Sequence, residues 1–258
     1  MPVVQTRRTR SSKHRAIRNA VVEALESRWL LAATIYVDQF AFGATADGTT
    51  WDTAFLNLRD AITAAQSGDT IEIASGTYLP SDGTTQPPAG PDRTLTFSLK
   101  SGVTIYGGFA GSADPFNPDA RDTSAYETIL SGDIGNSGDN TDNSYHVVTG
   151  SGVDATAILD GVTISDGNAD APAGTVATPF ANTGGGMIVW YGSPTISNCI
   201  FDNNSAYDGG GGLFADHASP TLVDCTLSNN TTTAGLGGGG GATFQNSTGT
   251  LVTIEITK

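Results

Sequence analysis

The chain has 258 residues, of which 33 are glycine and 11 are proline, and only 15% of the residues carry a charge. This composition argues against a helical bundle or a coiled coil, which would be rich in charged helix formers. Hydrophobic residues make up 38% of the chain, which is enough for a packed core. No apolar run approaches the length of about 18 residues that a transmembrane helix requires, so the sequence predicts none.

The charge is divided unevenly along the chain. Residues 1–33 contain seven of the twelve basic residues and two acidic ones, whereas the rest of the chain has a net charge of −19. No lysine or arginine occurs between residues 122 and 257. Such a body cannot neutralise a phosphate backbone, which argues against nucleic acid as a partner. It would also repel acidic polysaccharides unless a divalent cation bridged the two surfaces.

The basic segment is followed by features of an export signal. Trp29–Leu31 forms a short apolar stretch, and the two alanines after it supply the small residues of a cleavage site. The segment Leu25–Ala33 resembles the LEPRxLL leader motif of planctomycete surface and secreted proteins, with Ser27 in place of proline. This resemblance implies that residues 1–33 are a disordered or helical export leader and that residues 34–258 form the exported domain. The alternative is a flexible basic tail.

One helix and several short strands are predicted next. Apolar side chains recur every three or four positions from Trp51 to Gln66, which predicts a helix that Asp52 caps and Ser67–Gly68 ends. The apolar stripe consists of Phe55, Leu58, Ile62 and Ala65. The β-rich runs that follow are Thr70–Ala74, Thr94–Leu99, Gly102–Tyr106, Thr128–Leu130 and Tyr145–Thr149. Thr84–Asp92, which contains three prolines, is predicted to be a loop.

The second half of the chain repeats. The first repeated block comprises Gly161–Asp166, Asn198–Asn203, Asp224–Asn229 and Thr253–Ile256, at offsets of 37, 26 and 29 residues. The second block comprises Gly186–Trp190, Gly212–Asp216 and Gly241–Gln245, again at offsets of 26 and 29. Because two independent blocks share their offsets, the repeat is real, and the longer offset is explained by an inserted loop at Asp170–Thr183.

Strand alternation within the first block predicts stacked columns of side chains. One apolar column contains Val162, Cys199, Cys225 and Ile254, and the next contains Ile164, Phe201, Leu227 and Ile256. The corner columns contain Asp166, Asn203 and Asn229, and Gly167, Asn204 and Asn230. Repeats of this kind predict a solenoid, here a parallel β-helix whose coils lie about 4.8 Å apart. Stacked asparagines can hydrogen-bond from coil to coil.

At this point the sequence resembles a known class of protein. The segments that carry the resemblance are Thr128–Asp133, Tyr145–Val148, Ala157–Ile164, Ser193–Ile196 and Ser219–Leu222. They are similar to bacterial surface proteins with right-handed parallel β-helix repeats, in the pectin-lyase-like superfamily. The resemblance implies an all-β right-handed parallel β-helix over residues 34–258, with the helix as an N-terminal cap. It also implies a secreted, cell-surface or outer-membrane location.

The resemblance leaves the function open between two classes. One is a non-catalytic adhesion, glycan-binding or structural protein, and the other is a polysaccharide lyase or glycoside hydrolase. The resemblance implies an arginine base for a pectate lyase, but Arg59, Arg93 and Arg121 all precede the repeats. It implies four motifs for a polygalacturonase, of which only Asn140–Asp142 has a match. We therefore assign no catalytic residue and favour the non-catalytic class.

Two groups of residues are candidates for ligand binding. The first is an outward-facing aromatic group beside an acid, which suits a neutral glycan or cell-surface polymer: Trp190, Tyr191, Phe214, Asp216 and His217. The alternative is that the insertion covers this face. The second group offers oxygen ligands to Ca²⁺, with no other cofactor expected. It consists of Asp133, Asp139 and Asp142, accompanied by Asn136, Asn140 and Asn143. The alternative is that these acids only make Asx-turns.

Two further expectations concern the cysteines and the end of the sequence. Cys199 and Cys225 are the two cysteines, and they fall in one column a coil apart. That separation permits a disulfide in an exported protein, while the alternative is a pair of reduced, packed thiols. The sequence ends at residues 256–258 within a repeat. We expect either further coils or a second chain against that open edge.

Overall fold

Nearly all regular structure in the computed structural model of the chain is β-strand. The structure describes residues 32–80, 91–171, 180–234 and 238–257. The predicted leader therefore lies outside the described residues, apart from Ala32 and Ala33. Most of the predicted loop Thr84–Asp92 and the middle of the insertion lie outside them as well.

The described strands are short and follow one another through the chain. They begin with β1 (Thr34–Val37), β2 (Thr70–Ala74), β3 (Gly76–Tyr78), β4 (Phe97–Ser98), β5 (Thr104–Phe109), β6 (Thr128–Ser131), β7 (Val148–Thr149), β8 (Ile158–Asp160), β9 (Thr163–Ser165) and β10 (Asn168–Ala169). They continue with β11 (Met187–Trp190), β12 (Thr195–Ser197), β13 (Ile200–Asp202), β14 (Ser205–Ala206), β15 (Leu213–Asp216), β16 (Thr221–Ser228), β17 (Thr231–Thr232), β18 (Ala242–Gln245) and β19 (Thr250–Thr257). The described helices are α1 (Leu58–Ala64) and the 3-10 turns Gly111–Ala113 and Asn140–Asp142.

These strands form three sheets, and every pairing between them is parallel. The sheets have eleven, five and three strands. The chain visits them in a fixed order: β11 is in the five-stranded sheet, β12 and β13 are in the large sheet, β14 is in the three-stranded sheet, and β15 pairs beside β11 again. The prediction of an all-β parallel fold with one helix is confirmed for the described residues.

The predicted columns are confirmed by the strand register. Phe201 pairs with Ile164 on one side and with Leu227 on the other, and Leu227 pairs with Ile256. Cys225 pairs with Ile254. A longer aliphatic column crosses the other half of the large sheet, and the sequence offsets did not predict it. It contains Ile35, Ile71, Ile105, Leu159, Ile196, Leu222 and Leu251. Apart from Leu251 and Ile256 of β19, which are exposed, the columns belong to one continuous core.

The corners between strands repeat a left-handed backbone conformation. Residues with positive φ recur in columns: Gly161, Asn198, Asp224 and Thr253; Asp166, Asn203 and Asn229; Tyr191, His217 and Asn246. Glycine, asparagine and aspartate tolerate this conformation best, which explains their frequency in the sequence. Tyr191, His217 and Thr253 adopt it at a steric cost.

The asparagine ladder predicted at one corner is confirmed. The Asn204 Nδ2 donates to the Ile164 carbonyl at 2.8 Å and to the Asn230 Oδ1 at 3.0 Å. The Asn204 Oδ1 accepts a hydrogen bond from the Gly167 N–H at 2.9 Å. The ladder therefore satisfies buried backbone groups of adjacent coils.

The helix is shorter than predicted, and the prediction that Asp52 caps it is wrong. It begins at Leu58, with Asn57 as the N-cap, whose side-chain oxygen accepts from the Arg59 N–H at 2.8 Å. The reason is that Phe55 pairs with the first strand: its N–H donates to the Tyr36 carbonyl, and its carbonyl accepts from Asp38. A residue whose backbone is used in this way cannot join a helix.

Candidate functional site

The predicted glycan-binding residues lie on the outer face of the five-stranded sheet and at the corner after it. The register pairs Ile188 with Phe214 and Trp190 with Asp216. The alternating positions point into the core and are fully buried: Met187, Val189, Leu213 and Ala215. Tyr191 and His217 occupy equivalent left-handed corner positions on adjacent coils. The sheet therefore places all five predicted side chains within one region of the surface.

Four rings, which we call the aromatic row, run along this region: Phe180, Trp190, Tyr191 and His217. Successive ring centroids lie 5.2 Å, 5.1 Å and 5.0 Å apart, and Tyr191 is stacked on His217. Trp190 is 41% exposed and Tyr191 is 59% exposed. The row thus presents flat apolar surface to solvent, where aromatic side chains contribute most to ligand contact.

Phe180 covers part of the outer face. Ile188 and Phe214 point outward from the sheet but are buried, and the Phe180 ring centroid lies 6.4 Å from that of Phe214. Phe180 belongs to the end of the insertion Asp170–Thr183, whose residues 172–179 lie outside the described ranges. The two interpretations of this face therefore apply to different parts of it, since Trp190 stays exposed beside the covered pair.

A cavity of about 430 Å³ lies beside the aromatic row. This volume falls in the range of about 300–1,000 Å³ that is typical of ligand pockets. Its walls consist of Phe180, Asn182, Thr183, Asp208, Gly209, Phe214, Asp216, Gly238, Thr243 and Gln245. Two rings therefore face amide, hydroxyl and carboxylate groups across the same space. That combination can contact the apolar face of a ligand and hydrogen-bond its hydroxyl groups.

Asp216 links the cavity to the aromatic row. Its Oδ1 accepts a hydrogen bond from the Asn246 Nδ2 at 3.1 Å and lies 2.8 Å from the His217 Nδ1. Asn246 occupies the corner position after His217 on the next coil. When the His217 Nδ1 carries a proton, it donates to this carboxylate, which fixes the orientation of the ring that stacks on Tyr191.

The sequence located part of this site. Phe214 and Asp216 line the cavity, while Trp190, Tyr191 and His217 lie in the row next to it. The residues that were missed are Phe180, Asn182, Thr183, Asp208, Thr243 and Gln245. Thr243 and Gln245 pair with Phe214 and Asp216, so the 29-residue offset already contained the signal for them. Asn182 and Thr183 likewise lie 26 residues before Asp208 and Gly209 and pair with them, so the same offset contained a signal for Asp208. Phe180 comes from the insertion.

The three acids predicted to bind Ca²⁺ are arranged in two ways. The Asp139 Oδ1 accepts from the N–H and the hydroxyl of Thr141 at 3.0 Å and 2.7 Å, and the hydroxyl hydrogen bond lowers the pKa of Asp139 below its ordinary value. Asp133 and Asp142 instead bind backbone groups of the turn at residues 135–138. In the described part of the chain, no three Asp, Glu, His or Cys side chains form a group that could hold a metal.

The two cysteines are buried and not bonded to each other. The Cys199 Sγ lies 3.1 Å from the Ser197 carbonyl, and the Cys225 Sγ lies 3.4 Å from the Val223 carbonyl. Burial raises the pKa of both thiols. In the structure both are packed as free thiols, and the disulfide stays a prediction.

The arginines that a lyase would require are engaged in structural contacts. Arg121 pairs with Asp160 and donates to the Gly107 carbonyl at 2.9 Å. Arg59 donates to a backbone carbonyl at 3.0 Å, and Arg93 pairs with Asp170 at 2.7 Å. None of them lines the cavity.

The fold and the site together define an all-β parallel protein with an aromatic-walled surface cavity. No protein-family model and no curated protein matches the chain. Among solved structures, the chain is similar to a rhamnogalacturonan lyase, with 15% sequence identity and a TM-score of 0.33. The similarity covers 85% of this chain and 62% of the lyase. Within the described ranges, no helix has the length and apolar character needed to cross a bilayer.

Proposed function

We propose that this chain is an exported, right-handed parallel β-helix protein of the bacterial surface, similar to the pectin-lyase-like superfamily, that binds a glycan without catalysis. The observation that carries the proposal is the aromatic row beside the cavity. Exposed rings on a rigid sheet lose little conformational entropy when a ligand binds. The polar groups of the cavity then fix the orientation of the ligand.

The charge of the site favours one class of glycan. Asp208 and Asp216 line the cavity, and no lysine or arginine occurs between residues 122 and 257. An acidic sugar would meet like charge with nothing to compensate it. The ligand is therefore a neutral or amine-bearing polysaccharide rather than a polyuronate or a sulfated chain.

The β-helix part of the proposal is supported by the order in which the chain visits the sheets. Each return to the same sheet is a crossover between parallel strands, and such crossovers are right-handed in about 98% of cases. The export part is supported by the leader-like segment at residues 1–33. N-terminal sequencing of protein collected from the growth medium tests export. We expect the basic segment to be absent, and recovery of the intact chain only inside cells would contradict export.

Affinity electrophoresis and calorimetry with a panel of neutral, amine-bearing and acidic polysaccharides test the binding function. Trp190→Ala and Tyr191→Ala are each expected to weaken binding by about tenfold or more, since each removes one ring from the row. Phe116→Ala is the matched control, because Phe116 is an exposed ring in a different loop. Full binding by Trp190→Ala, or equal loss in Phe116→Ala, would contradict the proposal.

A polysaccharide hydrolase or lyase is the second candidate. It is favoured by a single observation, namely that the carboxylates of Asp208 and Asp216 line one cavity. Paired carboxylates are the groups that glycoside hydrolases use. Incubation of each bound polysaccharide with the protein, with and without calcium, distinguishes the two candidates. Release of new reducing or unsaturated ends that Asp216→Asn abolishes would establish the enzyme and overturn the non-catalytic role.

A further inference from the structure

A loop leaves the coils at the corner where the asparagine ladder runs. The last residue of β6, Ser131, pairs with Ser165 of the next coil, and the Ser144 carbonyl accepts from the Asn168 N–H. Between those two contacts the next coil has only two residues, whereas this coil has the whole segment 132–143. The loop is therefore held at both ends by the fold.

Two carboxylates are fixed against one turn of this loop. The Asp133 Oδ2 accepts from the Gly138 N–H at 3.1 Å, and the Asp142 Oδ2 accepts from the Asn136 N–H at 2.8 Å. The Asp142 carboxylate lies against Gly135, where any side chain would collide with it. These contacts use one oxygen of each carboxylate and leave the Oδ1 of each for another partner.

Four buried oxygens in this segment have no hydrogen-bond partner. They are the Oδ1 atoms of Asp133, Asp142 and Asn143 and the Oγ of Ser144. Asn143 is 2% exposed and Ser144 is fully buried. The Asn143 Nδ2 donates to the Asp166 carbonyl at 2.7 Å, which identifies the other end of that amide as the free acceptor. Within the described ranges, no other buried side-chain nitrogen or oxygen lacks a partner.

Unpaired buried oxygens of this kind are costly. Each costs about 1–3 kcal/mol, and more when it belongs to a carboxylate. Arg93 contacts this segment, but its guanidinium is engaged with the Asn143 carbonyl, the Asn168 carbonyl and the Asp170 carboxylate. It therefore supplies no donor to the four oxygens.

We propose that this segment binds a divalent cation of the calcium type through the side-chain oxygens of Asp133, Asp142, Asn143 and Ser144. All four are hard oxygen ligands, which Ca²⁺ prefers and which zinc and copper do not. The two carboxylates balance the charge of the ion, and backbone carbonyls or water complete a shell of about six to eight oxygens. Asp139 is not included among the ligands, because it is exposed and has no buried oxygen without a partner.

Calorimetric titration of the chelator-treated full chain with CaCl₂ tests this site, with MgCl₂ as the comparison. We expect one equivalent of Ca²⁺ to bind and to raise the melting temperature, since the ion binds only the folded loop. Asp142→Asn is expected to weaken the affinity by about tenfold or more, because the charge of the ligands sets it. Asp139→Asn is the matched control, with the same charge change three residues away and unchanged binding.

Two results would overturn the proposal. If millimolar Ca²⁺ gives neither heat nor a change in melting temperature, the four oxygens are satisfied by buried water alone. If Asp139→Asn weakens binding as much as Asp142→Asn does, the effect is general surface charge. Should circular dichroism show that Asp142→Asn is unfolded, Ser144→Ala replaces it, since this variant removes one ligand without changing the charge. Unaltered Ca²⁺ affinity in a folded Ser144→Ala variant would then overturn the proposed four-ligand site.

Discussion

The same corner of the coils is built in two different ways. At Asn204 and Asn230 each polar side chain finds a partner on the adjacent coil, so the corner is satisfied by the protein alone. In the segment 132–144, two coils before Asn204, four oxygens have none. The polar groups of Asn204 and Asn230 hold coils together, whereas the four oxygens of the segment 132–144 are free to bind the proposed cation. The comparison separates polar residues that serve the fold from polar residues that serve binding.

The largest loss of stability is expected from a variant that removes the hydrogen bonds of Asn204. Asn204→Ala removes the acceptor of the Gly167 N–H and the donor to the Ile164 carbonyl, both of which are buried. We expect the free energy of unfolding to fall by about 2–4 kcal/mol, because two buried backbone groups lose their partner. Urea denaturation followed by circular dichroism measures it.

The adjacent residue provides the control for that variant. Asn203 has the left-handed conformation and makes an exposed hydrogen bond to the Asp166 carboxylate. Asn203→Gly keeps this conformation accessible and is expected to cost less than about 1 kcal/mol. Equal losses in the two variants would show that the ladder owes its effect to backbone conformation rather than to buried hydrogen bonds.

A smaller effect is expected at Asp160, a polar contact between coils on the outer face. Burial raises the pKa of Asp160, but hydrogen bonds from Ser197, Arg121 and Asn198 outweigh it and hold the pKa below its ordinary value. The carboxylate therefore stabilises the fold above about pH 4 and loses that contribution as the pH falls further. Asp160→Asn is expected to cost about 2 kcal/mol at pH 7.

The pH dependence decides whether charge is responsible. The difference in unfolding free energy between wild type and Asp160→Asn should shrink as the pH falls below about 4, because the carboxylate of the unfolded chain takes up a proton before that of the folded protein. Urea denaturation from pH 3 to pH 7 follows this difference. A constant difference over that range would assign the effect to packing. Ser197→Ala removes one of the hydrogen bonds and should give about half the loss.

The sequence predicted those parts of the molecule that repeat. The offsets of 26 and 29 residues placed Phe201 on Leu227 and Leu227 on Ile256, as the register confirms. The offsets predicted these contacts because each coil must present an apolar side chain to the core at the equivalent position. The prediction of where α1 begins was wrong because Phe55 lies on a helical stripe in the sequence but pairs with β1 in the structure. The spacing of apolar residues does not show whether a backbone group will pair with a strand instead of joining a helix.

The binding features were harder to predict than the fold. Phe180 reaches the cavity from the insertion, which interrupts the repeat. Ser144 was not chosen as a ligand because serine is common in turns, and only burial without a partner distinguishes it. Asp139 was chosen because acids close in sequence look equivalent. Asp142 differs from it in having a buried oxygen without a hydrogen-bond partner.

The smallest effect is expected in the apolar interior, where Cys199 and Cys225 lie in one column on adjacent coils, as the asparagines do at the corner. Burial raises the pKa of both thiols, so neither should react with Ellman's reagent in the folded protein. In urea, without reductant, both should react. Adjacent strands lie about 4.8 Å apart, a distance at which a disulfide is geometrically allowed. The number of reactive thiols in the unfolded protein therefore distinguishes packed thiols from a disulfide. Two reactive thiols indicate apolar packing. No reactive thiol indicates that a disulfide joins the two coils covalently at this point.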